Sequence, residues 1–388
     1  MRVQLLDIWS WEVSEDRRSH LIIDNAVQFQ AIELTIVSPC RNERLNIRPI
    51  VAKLHEALSG IDWEIVFVDD DSSDGTADEI RSLAQTDRRV RCLQRIGRSG
   101  LSTAVIEGML SSSANYIAVI DADMQHDERL LPEMLSTMRS GLYDVVIGSR
   151  YVADGGIGEW DRARANMSAF ATRLAKLIMK QQVADPMSGF FMISSSSFRS
   201  TVHNLSGYGF KILLDLFASS PQPLRCKELP YEFRTRQFGE SKLDSMVMVE
   251  YVLLLIDKLS GGLIPPRFFL FASVGMLGVI VHLTLLRIGM GFANFITAQA
   301  IATIVAMTFN FALNNVLTYR DRRLQGNQLL WGLLSFYAVC SIGALANVGI
   351  AANLYKQDYS WLMSGMAGIV VGVVWNYVMS ATFTWRKK

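Results

Sequence analysis

Residues 116–126 read Tyr-Ile-Ala-Val-Ile-Asp-Ala-Asp-Met-Gln-His, an unbroken apolar run that ends on two aspartates one residue apart. Such a run has the length and composition of a strand buried on both faces. In an extended segment residues i and i+2 point to one side, so Asp121 and Asp123 project together beyond the strand's carboxyl end. Two carboxylates placed in this way can share a divalent cation, which takes hard oxygen ligands. A cation so held can neutralise the phosphates of a nucleotide. A lone D-x-D is common, and Gln125 and His126 directly after this one give it weight. His126 reads equally as a ligand or as a polar helix-entry residue.

Outward from this strand the chain alternates. Leu34–Ser38, Glu64–Val68, Val90–Leu93 and Val145–Gly148 are further short apolar runs. Between them Asn46–Leu58, Thr76–Ala84, Gly97–Leu110 and Leu130–Arg139 carry helical spacing or helix-entry signals. The pattern predicts an α/β domain with a parallel sheet and right-handed crossovers. In such sheets ligands sit beyond the carboxyl ends of the strands. Polar residues gather there: Asp69, Asp70 and Asp71, then Asp121 and Asp123, then Ser149 and Arg150. Each cluster alone suits a turn or a helix cap, but three on one edge point to a site. No G-x-x-x-x-G-K-[ST] loop occurs, and Pro39-Cys40-Arg41-Asn42-Glu43 follows the first strand where a dinucleotide fold would have G-x-G-x-x-G. P-loop hydrolases and dinucleotide enzymes are therefore disfavoured.

The 388 residues suggest two or three domains. Half of them are hydrophobic and 19% charged, which excludes a largely disordered chain. A net charge of +1 argues against a nucleic-acid binder. Cys40, Cys92, Cys226 and Cys340 form no C-x-x-C pair and suggest neither a disulfide framework nor a zinc site. The charges are unevenly spread. Phe268–Leu286, Phe295–Leu317, Leu329–Ala351 and Trp361–Phe383 are long apolar stretches, each able to cross a ~30 Å hydrocarbon core. Buried helices of a soluble domain would show a polar face. Arg267, Arg320, Arg322, Arg323 and Arg386–Lys388 flank them on one side, so the positive-inside rule puts the N-terminal part, the middle loop and the C-terminus in the cytoplasm. Met1–His20 holds seven charged residues and reads as an extension, not a signal peptide. Asp161–Lys180 reads as a partly amphipathic helix, either interfacial or packed, and Ser241–Leu259 as a helix leading to the membrane. Asn310 through Tyr319-Arg320 is echoed by Asn376 through Trp385-Arg386, 66 residues later, which suggests two related hairpins.

Several ordered motifs now carry a resemblance. They are Pro39…Asn42-Glu43, Val68 through Thr76, Asp121 through His126, Gly148 through Tyr151, Asp185 through Phe190, Gly209-Phe210-Lys211 and Gly239 through Leu243. Residues 34–243 resemble the inverting family 2 glycosyltransferases, in particular the branch of dolichyl-phosphate mannosyltransferases and bacterial polyprenyl-phosphate glucosyltransferases. Residues 267–386 resemble the four-span GtrA-like domain. The resemblance implies a GT-A, Rossmann-like α/β fold followed by an all-helical transmembrane domain of four helices. The domains expected are an extension (1–31), the transferase (32–243), a juxtamembrane helix and linker (244–266) and the membrane domain (267–388).

The resemblance also implies roles. Pro39, Arg41, Glu43, Val68 and Asp70 would hold the base and ribose, and Asp121, Ala122, Asp123 and Gln125 would surround the diphosphate. Asp121, Asp123 and Gln125 would bind Mg²⁺ or Mn²⁺. Ser149, Arg150, Arg234 and Lys242 are candidates for the acceptor phosphate, with Lys211, Arg234 and Lys242 also candidates at the donor and Ser102 a weaker one. Asp123 and Arg150 are the essential residues expected. Relatives commonly carry Tyr where this chain has Arg41, whose planar guanidinium can also stack. The partners implied are a nucleotide-sugar donor, a polyprenyl-phosphate lipid and the bilayer, in the cell membrane, with a homo-oligomer through the membrane domain left open. The expected reaction moves mannose from GDP-mannose to polyprenyl phosphate. The alternatives are glucose from UDP-glucose, translocation of the lipid-linked sugar by the spans, and a non-catalytic sugar-nucleotide sensor. The polar residues most visible in the spans are Asn310, Asn314, Asn315, Asn347 and Asn376, which suits an anchor better than a charged pathway.

Overall fold

A computed structural model describes residues 32–98, 100–153, 155–156, 173–176, 178–179, 181–207, 209, 211–236 and 245–386. The N-terminal extension, most of the expected helix at 161–180 and the 239–243 motif with Lys242 lie outside the described residues.

The first apolar runs form β1 (Leu34–Cys40), β2 (Trp63–Asp69), β3 (Val90–Gln94), β4 (Tyr116–Val119) and β5 (Val145–Ser149). Two more strands, β6 (Phe191–Ser194) and β7 (Cys226–Pro230), complete a seven-stranded sheet in the order β3-β2-β1-β4-β6-β5-β7. The helices between them are α1 (Arg44–Ala57), α2 (Thr76–Ala84), α3 (Leu101–Leu110), α4 (Leu131–Arg139), α5 (Ser195–Thr201) and α6 (Ile212–Ser219). Alternate residues of the central strands feed two cores, as the period of a strand requires. Leu34, Ile36, Ile65 and Phe67 pack with α1 and α4, while Val37, Val66, Val68 and Val119 pack with α3 and α6. Gly108 lets α3 lie close on the sheet, since a Cβ there would come within 2.5 Å of Val37 and 2.8 Å of Val68.

The sheet is not wholly parallel, which corrects the sequence expectation. β6 runs antiparallel to both β4 and β5. The strand–helix–strand rule governs only strands joined by a crossover. Here the chain leaves β5 and re-enters at the same edge, so Asp185 to Phe190 come to the carboxyl ends of β1 and β4. Strand order reverses between β1 and β4, and the loops after these two strands flank that crevice.

A further helix, α7 (Ser245–Leu259), packs on α6, and α8 (Pro266–Gly289), α9 (Phe295–Leu313), α10 (Asn327–Lys356) and α11 (Trp361–Met379) follow. The last four supply four candidate membrane spans, Pro266–Gly289, Phe295–Thr318, Asn327–Lys356 and Met366–Thr384. The protein is thus a multi-pass membrane protein. The spans pair as two hairpins, α8 with α9 and α10 with α11. Each hairpin ends in a five-residue π-helical turn, Asn314–Thr318 and Ser380–Thr384, 66 residues apart. Each turn delivers a ring, Tyr319 and Trp385, and the two rings stack face to face at 4.3 Å and 6°. Phe271, Phe311 and Phe336 complete this cluster. Asn310 packs on Gly278, and Asn376 packs on Gly343. Small residues at such crossings let membrane helices approach closely.

Gly278→Val and Gly343→Val should each lower the melting temperature in detergent, at a cost of about 1–3 kcal/mol from overpacking. Gly275→Val, on the same helix with nothing within 4 Å, should not. Equal melting curves for all three variants would contradict this packing.

Candidate active site

The crevice is built first by stitching the loops after β1 and β2. Asn42 adopts the left-handed backbone (φ 53°), its amide donates to Ser72 Oγ at 2.8 Å, and its Oδ1 accepts from Ser73 N at 2.9 Å. The Glu43 amide donates to Thr76 Oγ1 at 3.0 Å, and its carboxylate accepts from Asn46 at 2.7 Å. Pro39 and Val68 are register partners on β1 and β2, both buried, and Arg41 is exposed at the rim. The three aspartates after β2 divide their work. Asp69 is buried and accepts from the Ser72 amide at 3.1 Å, which makes it a turn former. Asp71 accepts from Gly97 N at 3.1 Å. Asp70 accepts from the buried Arg95 at 2.6 Å and from Gly100 N at 2.8 Å. Burial pushes the Asp70 carboxyl up despite the pull of those two partners.

Asp121 and Asp123 follow β4. Between them and Gln125 the chain turns at Met124, whose φ of 64° is strained for a side-chain-bearing residue. Asp123 Oδ2 accepts from Arg236 Nη2 at 2.6 Å, and its Oδ1 accepts from the Gln125 amide at 3.2 Å. Asp121 Oδ2 accepts from His126 Nε2 at 3.2 Å, and His126 Nδ1 lies 2.8 Å from the Tyr231 hydroxyl. An ionised carboxylate only accepts, so Nε2 carries the proton that goes to Asp121. His126 stands just before Asp127, the N-cap of the short helix Glu128–Leu130 that leads into α4, and its ring turns inward. It is buried among Phe190, Tyr231 and Phe233 and holds Asp121. Gly189 leaves room for this, since a Cβ there would lie 3.0 Å from Asp121 Oδ2.

The two carboxylates titrate apart. Burial pushes Asp121 up, but the His126 hydrogen bond and the charges of His126, Lys211 and Arg236 outweigh it and hold the group below its ordinary range. Burial and then the charge of Asp121 push Asp123 above it. This donor set suits a divalent cation: two adjacent oxygen ligands, with Asp121 37% exposed to the crevice and a guanidinium already standing against Asp123. Among the described residues no third acid or imidazole joins them as a metal-binding cluster.

The basic residues lie as follows. Lys211 Nζ donates to Met187 O at 3.1 Å and faces Asp121 electrostatically. Arg234 turns away from the pair, to Asp127 at 2.6 Å and Glu128 at 2.8 Å, while its amide donates to Gln125 O at 2.8 Å. The Gln125 side chain returns a bond to Arg234 O at 3.0 Å. The arginine on Asp123 is thus Arg236, two residues further along; the spacing of Arg234-Thr235-Arg236 was the available signal. Arg150 is buried and forks onto Asp185 at 2.7 and 2.8 Å, with its amide also donating to Asp185 at 3.2 Å. Ser149 is buried beside it, and its carbonyl accepts from Tyr231 N at 3.2 Å. Ala122 is buried, and Ser102 Oγ is buried with no hydrogen-bond partner among the described residues. Arg95, Tyr231 and Arg236 are the contributors that the sequence reading did not single out, and Asp185 and Gly189 stood in it only as part of a motif, with no role given.

Arg150→Ala leaves the Asp185 carboxylate buried without its guanidinium, which should cost about 3–5 kcal/mol of stability. Arg150→Ala with Asp185→Ala should recover part of the loss in a thermal melt. An unchanged melting temperature for Arg150→Ala would overturn the structural weight given to this pair.

Comparison with known proteins matches this architecture. Glycosyl transferase family 2 matches residues 35–201, and the GtrA/DPMS transmembrane domain matches residues 270–385. A dolichol-phosphate mannosyltransferase from Pyrococcus furiosus is 30% identical over 362 residues, covering 91% of this chain and 99% of the relative. One from Mycosarcoma maydis is 34% identical over 235 residues, 58% of this chain and 78% of the relative. Among solved structures, glucosyl-3-phosphoglycerate synthase from Mycobacterium tuberculosis with Mn²⁺, UDP-glucose and glycerol 3-phosphate aligns with a TM-score of 0.42 and 18% identity, over 59% of this chain and 80% of that one. The chain is a family 2 glycosyltransferase with a GtrA/DPMS transmembrane domain, related over 91% of its length to a dolichol-phosphate mannosyltransferase.

Proposed function

We propose that this enzyme transfers mannose from GDP-mannose to a polyprenyl monophosphate of the dolichyl type, with inversion, giving polyprenyl-phosphate mannose and GDP. The observation that carries this reading is the similarity to the Pyrococcus furiosus dolichol-phosphate mannosyltransferase, which runs through the transferase domain and the membrane spans alike. The catalytic domain, the middle loop and the C-terminus face the cytoplasm, because the arginines at the span ends gather on that side.

Pro39, Arg41, Glu43, Val68 and Asp70 line the end of the crevice assigned to the base and ribose. Asp121, Asp123 and Gln125 would hold Mg²⁺ or Mn²⁺, which when bound supplies positive charge to the donor diphosphate. Arg150 and Arg234 are each held by carboxylates. Arg150 therefore keeps the Ser149–Tyr151 turn in shape, and Lys211 and Arg236, which stand at the Asp121–Asp123 pair itself, carry the charge that meets the donor phosphates. The acceptor phosphate is already ionised and needs no general base. What the site must do is hold two anions together in line, with its own cations set against the charge that develops on the leaving diphosphate. The acceptor oxygen forms the new bond to C1 of the sugar as the C1–O bond to the diphosphate breaks. A single displacement inverts the anomeric centre. The spans keep the lipid tail and this crevice at one surface.

Purified full-length protein with Mg²⁺ or Mn²⁺ and a polyprenyl phosphate should yield a glycolipid from GDP-mannose. It should yield none from UDP-glucose; product from UDP-glucose alone would replace the mannosyl reading with the glucosyl one. Asp123→Asn should abolish metal-dependent turnover with the melting temperature nearly unchanged. Wild-type turnover in that variant would sink the role given to the pair.

A further inference from the structure

The least expected polar network of the soluble domain lies under α6, away from the crevice. Asp215 is fully buried, and its carboxylate is saturated with donors. Its Oδ2 accepts from Ser206 N at 2.9 Å, Ser206 Oγ at 2.7 Å and Gly207 N at 3.2 Å. Its Oδ1 accepts from Ser219 Oγ at 2.8 Å and from the ammonium of Lys258 at 2.8 Å. Lys258 is itself nearly buried and gives further bonds to Asn204 O at 3.1 Å and Ser219 Oγ at 2.8 Å. A buried carboxylate with one counter-ion is expensive to assemble and costly to break. What this one organises is the turn of 204–207, with Gly207 and Gly209 in the left-handed region (φ 66° and 77°). That turn runs directly into Lys211, at the start of α6.

Lys258 belongs to a different part of the chain. It sits on α7, whose Tyr251, Leu254 and Leu255 pack against Leu214, Met187 and Ala175. The backbone of Glu250 on the same helix closes over Gly209. The Glu250 side chain pairs with Arg320, just past the π-helical turn of the first hairpin. One helix therefore grips the loop before Lys211 at one point and the membrane domain at another. The Met187 that α7 packs against also supplies the carbonyl that Lys211 holds.

We infer that Lys258 is a positioning residue for sugar transfer: through Asp215, which holds Ser206 and Gly207 and whose amide donates to Lys211 O, it fixes the start of α6 so that Lys211 faces the Asp121–Asp123 end of the crevice. α7 then supports the active site from behind as well as linking it to the membrane. The inference rests on the proposed placement of Lys211 at the phosphates.

The test is a double-mutant cycle in the full-length protein, with polyprenyl-phosphate mannose formation and detergent melting temperature read for every variant. Lys258→Met should lower kcat about 10- to 100-fold, the range expected when a site group is displaced by about 1 Å. In a Lys211→Ala background the same substitution should cost less than about 3-fold, since the group it positions is gone. Equal losses in both backgrounds, or wild-type kcat for Lys258→Met, would overturn the inference. Wild-type kcat for Lys211→Ala would instead overturn the placement of Lys211, and the inference would fall with it. Ser206→Ala removes one loop donor and keeps the ion pair. If Lys258→Met does not fold, this variant runs the same cycle, with the same non-additivity expected at smaller size and the same additivity counting against it.

Discussion

Two like charges held side by side in a half-buried crevice set the terms for the transferase domain. Asp121 and Asp123 repel each other, and burial strengthens that repulsion by removing water. The surroundings answer with positive charge and directed donors: His126 braced by Tyr231 on one carboxylate, Arg236 on the other, Lys211 nearby. Even so burial, and then the charge of Asp121, push Asp123 above its ordinary range. A site in that condition favours a doubly charged cation and a substrate that arrives with one. The sheet topology serves the same end. The return of the chain from β5 into β6 brings Asp185, Gly189 and Phe190 to the edge where the carboxylates lie, and a wholly parallel sheet would have sent them to the far side.

Much of this was legible in the residues. The first five strands and their helices followed from apolar runs and turn signals, and α2 matches its expected bounds at both ends. Beyond residue 150 the alternation loses its regularity. β6 and β7 are only four and five residues long and gave no periodic signal of their own. The acids were placed correctly at the strand ends, but their separate tasks were hidden. Asp69 makes a turn and Asp70 meets Arg95, a distinction that depends on which oxygen each neighbouring amide reaches. The arginines were the hardest to read. A guanidinium is long and accepts any carboxylate within reach. Arg150 and Arg234 were spoken for by Asp185 and by Asp127 with Glu128, and only the fold could show that.

In the membrane the constraint is different, because lipid offers no hydrophobic drive between helices. The hairpins are each closed by a glycine under an asparagine and are joined by aromatic rings at the end nearest the soluble domain. Arg267 meets Asp321 at 2.7 Å, and Glu250 meets Arg320, so the same end also receives α7. The joint that holds the spans together and the joint that holds the enzyme to them are thus one region.

The stacked pair of Tyr319 and Trp385 joins two hairpins of like build, each ending in a π-helical turn, within one polypeptide. In a dimer of identical hairpins both rings would have to be the same, and any bond made by one would be made by the other. Within one chain that degeneracy is lifted. Trp385 donates Nε1 to Asn315 Oδ1 at 3.0 Å, whereas the position 66 residues beyond Asn315 is Ala381 and offers no acceptor. The contact therefore has a direction: the second half leans on the first, and the first is the half that α7 grips. Broken symmetry lets a scaffold of two equal halves present a single, unambiguous seat to one catalytic domain.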